Sequence, residues 1–278
     1  MTTHEGERRS PGRILLGVSV GLLAIGLLLP IVIVVLLSVG EDRIMSFPPR
    51  GFTLDWYAEA FRSDRWASRL TASAQVAVVS AVMATVLGTA TAVGLNRMRY
   101  RGKWLIFGLI LTPLIVPTVT SGIGMYFVWL EGWRLGPIVI GGNLTGSILG
   151  YALAHAVLAM PLAVITVTAS LMTVDRNLEL AAASLGASAR RTFFRITLPL
   201  ITPGVLGGLI LSFLASWDEV IVALYMATPR FATIPVELFG QIRQSPTPTA
   251  AAISSMLMAA GVAAFLTALV VRRRGAAR

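Results

Sequence analysis

Residues 174–200 read VDRNLELAAASLGASARRTFFRITLPL, set between two long apolar runs, Thr145–Met172 and Ile201–Ala227. Asp175 is placed to cap a short helix in which Leu178, Ala182 and Leu185 fall at i, i+4 and i+7, with small Ala181 and Ala183 beside them. Gly186 supplies a natural helix end, and a second helical stretch from Ser188 carries Arg190, Arg191 and Arg195 until Pro199 stops it. The segment therefore reads as a compact polar helix-turn-helix with a thin apolar face, hung between two stretches too apolar for water. Residues alone leave two uses for that face: docking a soluble partner, or resting on lipid headgroups.

Working outward, the same contrast organises the whole chain. Hydrophobic residues make up 55% of its 278 positions and charged ones 13%, against about 25% charged in a soluble globular domain. Apolar runs occur at Ile14–Val39, Leu70–Leu95, Trp104–Leu130, Thr145–Met172, Ile201–Ala227 and Thr249–Val271, each longer than the ~20 residues that cross the hydrocarbon. In lipid such runs must satisfy their own backbone and so are helical; a barrel would show short strands of alternating polarity, and the sequence has none. The expectation is an all-α integral membrane protein, one transmembrane domain over 1–278 with six spans. Arg8, Arg9 and Arg13 precede the first run as in a secretory signal, but the run is long and lacks an A-x-A pattern, so it is expected to stay as the first span.

Charge gives the orientation. The net charge of +10 could suit nucleic acid, but the basic residues sit in short groups between apolar runs, a topology pattern rather than a nucleic-acid footprint. Arg8, Arg9 and Arg13, then Arg97, Arg99, Arg101 and Lys103, then Arg176, Arg190, Arg191 and Arg195, then Arg272, Arg273, Arg274 and Arg278 all fall on one side of six spans, which the positive-inside bias makes cytoplasmic. Both termini are then inside, and residues 173–200 are a cytoplasmic loop. The opposite side balances its arginines with Glu41, Asp42, Asp55, Glu59, Asp64, Glu131 and Glu237. With no cysteine, disulfides, thiol catalysis and thiolate metal sites are excluded.

Within the spans, Pro113, Pro117, Pro161 and Pro203 suggest either helices bent around a cavity or the ordinary frequency of intramembrane proline. Gly17 with Gly21, and Gly204 with Gly208, have the small-xxx-small spacing that lets helices approach closely. GFTLDWYAEAF at 51–61 reads as a short surface helix, with Leu54, Tyr57 and Phe61 on one face. Asp218 and Glu219 are the carboxylates inside a span, and such residues usually face a cavity or a partner. Adjacent helical positions diverge by about 100°, so one of the two, with Asp218 the preferred choice, is expected on a solute path, with Trp217 and Tyr225 as aromatic partners for a cation. The competing reading is a pair near the interface reaching water. His155, the sole histidine within the spans, fits a proton relay or a hydrogen bond within the bundle; no second histidine in a span and no cysteine supports a metal site.

The 174–200 segment resembles the EAA loop of ABC importer permeases, whose pattern is E-A-A, three residues, Gly, nine residues, Ile, one residue, Leu-Pro. Ala181 and Ala182 match the alanines, Gly186 the glycine, and Ile196, Leu198 and Pro199 the tail; Leu180 stands where the pattern has glutamate, with Glu179 one residue earlier. AHAVLAMPLAVITVTASLM at 154–172 and FTLDWY at 52–57 look like the corresponding parts of the same family. SFLASWDEVIVALYMATPRFATIPVELF at 212–239 looks most like the second permease subunit of spermidine/putrescine importers, though permeases for opines, phosphonates, thiamine and ferric iron share much of it.

The resemblance implies a type I importer permease fold and a transport subunit with no catalytic residues of its own. It further implies a partner ATP-binding cassette ATPase dimer that holds ATP and Mg, a second permease subunit in a heteromer, and an extracytoplasmic substrate-binding protein. The chain has no G-x-x-x-x-G-K-[ST] phosphate loop, in keeping with ATP bound elsewhere. Glu179, Ala181, Ala182, Gly186, Ile196, Leu198 and Pro199 would then couple to the ATPase, and the solute would be a polyamine or similar small cation. An ion-coupled secondary transporter is the rival class, but inverted repeats and midplane acid pairs are not evident in the sequence. A membrane enzyme would need convergent nucleophiles, bases or metal ligands, which are likewise not evident.

Overall fold

The computed structural model describes residues 11–98, 101–135, 138–140, 142–244 and 246–276. Arg8, Arg9, Arg99 and Arg278 of the orientation argument lie outside these. The chain divides into two compact units, Met1–Arg62 with Gln241–Ala260, and Ser63–Gly240 with Gly261–Arg278.

In the first unit, α1 (Pro11–Leu37) is a continuous apolar helix whose described side chains are mostly exposed. Among the described residues, Gly17 and Gly21 meet no neighbour, so their spacing serves no close helix approach there. A connecting segment leads to α2 (Asp55–Arg62), the short helix expected at 51–61. Trp56 Nε1 donates to the Gly40 carbonyl at 2.6 Å, and the Tyr57 and Ser38 hydroxyls meet at 2.7 Å. Tyr57 therefore faces inward, while Leu54 and Phe61 stay exposed.

The second unit is built on α3 (Asp64–Arg97), α4 (Lys103–Ile115), α5 (Thr118–Glu131) and α6 (Ile148–Met172), followed by α7 (Arg176–Ser184), α8 (Ala189–Thr192), α9 (Leu198–Trp217), α10 (Ile221–Met226) and α11 (Ile234–Gln244). A last helix, α12, spans Pro248–Ala276. A small antiparallel ladder, β1 (Trp133–Leu135) with β2 (Ile138–Ile140), follows α5. It departs from the purely helical expectation, in a segment between expected spans where strand pairing meets the backbone's hydrogen-bond demand.

Among the described residues, α1, α3, α6 and the run Ala189–Trp217 are long and apolar enough to cross a membrane, with α4 and α5 together making a fifth. The expected run 104–130 is thus not one straight helix: α4 and α5 are bent by 101°. The cause is Pro117, which removes an amide donor and pushes Val116 into extended backbone (φ −69°, ψ 132°). Pro161 and Pro203 sit inside unbroken helices, so proline alone does not decide where a helix breaks. The described apolar part of α12, Pro248–Ala263, is shorter than a span requires.

Helices α3, α6 and α9 pack on one another and form the centre of this unit. Small residues bring them close: a Cβ on Gly88 would lie 2.7 Å from Ala163 Cβ, and one on Gly208 2.8 Å from Thr166 Oγ1. Gly204 meets Ser170 and Thr166 in the same manner. Between the helices, Ser80 donates to Ser216 across 2.8 Å, both buried. At the start of α3, Arg65 pairs with buried Glu237 of α11 at 2.6 Å and Arg69 with the same carboxylate at 3.5 Å.

The close approach at Gly88 is directly testable. Gly88→Ala should cost about 1–3 kcal/mol as an overpacking change and lower the thermal midpoint of the purified protein in detergent. Gly94→Ala, three residues before the end of the same helix and facing open space, should leave the midpoint unchanged or raise it.

Candidate functional site

Two places gather the residues singled out in the sequence: the polar segment from Asp175 to Pro199, and the interruption between α9 and α10.

In the polar segment, the Asp175 side chain accepts from Asn177 N at 2.9 Å and caps α7. The helix ends in a Schellman turn: Ala187 N bonds the Ala182 carbonyl and Gly186 N the Ala183 carbonyl, each at 3.0 Å, with Gly186 at φ +79°. A Cβ on Gly186 would meet nothing, so glycine is required there by backbone conformation and not by space. Ser188 then caps the next helix by accepting from Arg191 N at 3.3 Å. From there the chain does not stop at Pro199 as expected. It runs through a π-helical turn, Phe193–Thr197, directly into α9. The wider turn just before Pro199 separates the carbonyls its ring would strike, and Pro199 itself lies within the first two positions of α9.

On α7, Ala182 is buried, while Leu178, Leu180 and Leu185 are exposed at 46%, 59% and 88%. Ala181 is exposed too, as is Pro199, and Ile196 is half-buried. Leu198 packs against a core of Ala92, Val93, Val164, Val167, Leu171 and Ile201. Glu179 turns away from the exposed leucines. Its Oε1 accepts from Arg97 Nη2 at 3.1 Å and from the Thr197 hydroxyl. Burial pushes the Glu179 carboxyl up, but the bond from Thr197 and the bond and charge of Arg97 outweigh it, holding the group below the usual carboxylate value. Sequence reasoning missed Arg97 and Thr197 as its partners, since Arg97 registered only as a topology charge and Thr197 as a spacer.

At the second place, α9 ends at Trp217, so the expected run 201–227 is two helices with a break at Asp218–Val220. Asp218 is exposed at the end of α9. Glu219 instead folds back and accepts from Val222 N at 2.9 Å and Ala223 N at 2.8 Å, supplying the start of α10 with acceptors. Its other neighbour is His155, with Nε2 3.6 Å from Glu219 Oε2, while His155 Nδ1 and Ser216 Oγ lie 2.8 Å apart. His155 is thus hydrogen-bonded to Ser216, which Ser80 also reaches, whereas its Nε2 approaches Glu219 without a hydrogen bond. Trp217 stacks on Phe213 with centroids 5.6 Å apart. Tyr225 lies across Gly122 of α5, where a Cβ would come within 2.6 Å of its ring. The break therefore separates the two carboxylates: Glu219 is engaged with backbone and Asp218 is not. Among the described residues, no cluster of three or more metal-ligating side chains occurs.

The family model for the binding-protein-dependent transport system inner membrane component matches residues 84–275. The putrescine transport system permease protein PotI of Escherichia coli (strain K12) is 29% identical over 239 residues, 85% of this chain and 83% of that protein. The spermidine/putrescine transport system permease protein PotC of Haemophilus influenzae is 27% identical over 248 residues, 89% and 92% of the two chains. The molybdenum transport system permease protein ModB of the same organism is 40% identical over a shorter 155 residues, 55% and 68%. Among solved structures, a bacterial ABC transporter that imports the acidic polysaccharide alginate matches with a TM-score of 0.67 at 14% identity, over 98% and 99% of the two chains. At that identity the likeness concerns the fold.

The tie at Glu179 has a pH signature. A carboxylate whose folded pKa is depressed stabilises the fold above its unfolded pKa and loses that contribution as pH falls through the folded value. Amide exchange of α7 should stay slow at neutral pH, then accelerate beyond the intrinsic trend once pH drops below the ordinary carboxylate range. Glu179→Gln should abolish that extra acceleration.

Proposed function

This chain belongs to the family of binding-protein-dependent transport system inner membrane components, and on that premise we propose that it is the permease subunit of an ATP-driven ABC importer of polyamines. In this reading it crosses the inner membrane six times with both termini in the cytoplasm. It pairs with a second, different permease and takes solute from an extracytoplasmic binding protein. A separate ATPase dimer holds ATP and Mg and does the hydrolysis, so this chain carries no catalytic residue.

The observation that carries the proposal is the glycine-turned segment 174–200. A short capped helix exposes Leu178, Leu180 and Leu185 and ends at the left-handed Gly186; after that turn a second helix starts at Ala189 and runs on as the apolar span Ala189–Trp217. Exposed apolar residues on a polar loop are explained by a soluble partner that covers them. In this reading pressure on α7 reaches α9 across the Gly186 turn and then along the helix that starts at Ala189, so that the membrane helix is moved from outside. For the solute, support comes from the polyamine permeases among the relatives and from Asp218, exposed beside the Trp217–Phe213 stack at the break between α9 and α10. A carboxylate beside an aromatic face suits an ammonium group. Glu219, His155 and Tyr225 would shape this place from behind. The ModB likeness favours a second reading, an oxyanion importer, in which Asp218 would repel the solute.

Two measurements test these readings. Gly186→Asp, which forces a side chain into φ +79°, should release the ATPase on co-purification; full retention would argue against the docking role. In proteoliposomes, Asp218→Asn should raise the KM for putrescine about tenfold, as expected when a charge-assisted hydrogen bond of ~1.5 kcal/mol is lost, with assembly intact. Uptake of molybdate in place of putrescine, improved by the same substitution, would favour the oxyanion reading.

A further inference from the structure

The family pattern places its glutamate where this chain has Leu180, and Leu180 is exposed. The acid has moved one position, and a one-residue step on a helix rotates a side chain by about 100°. That rotation takes it from the open face of α7 to the face turned toward the bundle. There a single carboxylate oxygen, Glu179 Oε1, receives Arg97, the last residue of α3, and Thr197, the last residue of the π-turn that opens α9. Thr197 is 1% exposed, so its hydroxyl is fixed in the core.

Among the described residues, little else attaches α7 to the bundle. Of its nine residues Ala182 is the buried one, and a single methyl group offers little apolar burial. A loop held so lightly would slide when pushed. Charge-assisted hydrogen bonds are stronger and directional, and they fix a register that apolar contact does not.

We infer that Glu179 is a positioning residue that latches α7 to the end of α3 and to the root of α9, so that displacement of the loop moves both helices together. It does not serve as the acid that meets the ATPase; that surface in this chain is the apolar one around Leu180. The coupling part of the inference rests on the importer reading above, whereas the latch itself does not.

Hydrogen exchange on the purified chain alone in nanodiscs reads the latch. Arg97→Ala and Glu179→Ala should each speed exchange of the α7 amides by about tenfold, the size of a typical pairwise interaction of 1.4 kcal/mol, and the reversal Glu179→Arg with Arg97→Glu should restore most of the protection. Unchanged exchange in Arg97→Ala, or a reversal no better than the single variants, would overturn it. The assembled transporter reads the coupling. Both single variants should keep the ATPase bound and hydrolysing while putrescine moved per ATP falls several-fold, and the reversal should recover that ratio. Loss of the ATPase with Glu179→Ala and not with Arg97→Ala would show the acid facing the partner and sink the proposal. If the unaltered chain binds no ATPase, the importer reading fails, and the exchange measurement still decides the latch.

Discussion

Hydrocarbon offers no partner to a peptide N–H or C=O, and this constraint sets the form of the rest of the molecule. Continuous helix meets it at no cost, so α3 and α6 run unbroken through 34 and 25 residues. Wherever a helix stops inside an apolar run, some group of the protein must stand in for water. At the break after Trp217 that group is Glu219, whose two oxygens take the amides of Val222 and Ala223. An acidic residue in such a run is expensive, yet here its two oxygens are spent on the freed amides of a helix start. The cost of one irregularity is offset by another, and Asp218 next to it is left without that duty.

The interior of the bundle follows the same logic in side chains. Without a hydrophobic drive between helices in lipid, close packing and buried hydrogen bonds must hold them together. Gly88, Gly204 and Gly208 remove the side chains that would keep α3, α6 and α9 apart. The resulting short distances let Ser80, Ser216 and His155 reach one another across three helices. Small residues and polar residues are thus parts of one arrangement, since a hydroxyl spans an interhelical gap only where the backbones are near.

The segment between α6 and α9 obeys different rules because it is polar and mostly exposed. Its helix is short, so its geometry depends on caps at both ends: Asp175 at the start, Gly186 at the stop, and Ser188 to begin again. Its attachment depends on a carboxylate held by Arg97 and Thr197. Stiffness at the join to α9 comes from uninterrupted backbone through the π-turn.

Much of this was legible in the residues. Apolar runs fix the class of fold, because the length of hydrocarbon and the backbone's demand for hydrogen bonds are insensitive to what packs against what. Caps are equally local: Asp175, Gly186 and Ser188 act on amides within four residues of themselves. Tertiary structure alone decided that Pro117 breaks a helix while Pro161 and Pro203 do not, since each outcome depends on whether neighbours shelter the carbonyl the ring frees. It also decided that span 201–227 is interrupted, that Pro199 is carried through, and that Glu219 turns inward while Asp218 does not. The pairing of Glu179 with Arg97 and Thr197 joins positions 82 and 18 residues apart. Such a contact comes from the way helices pack, and no local rule of spacing or propensity contains it.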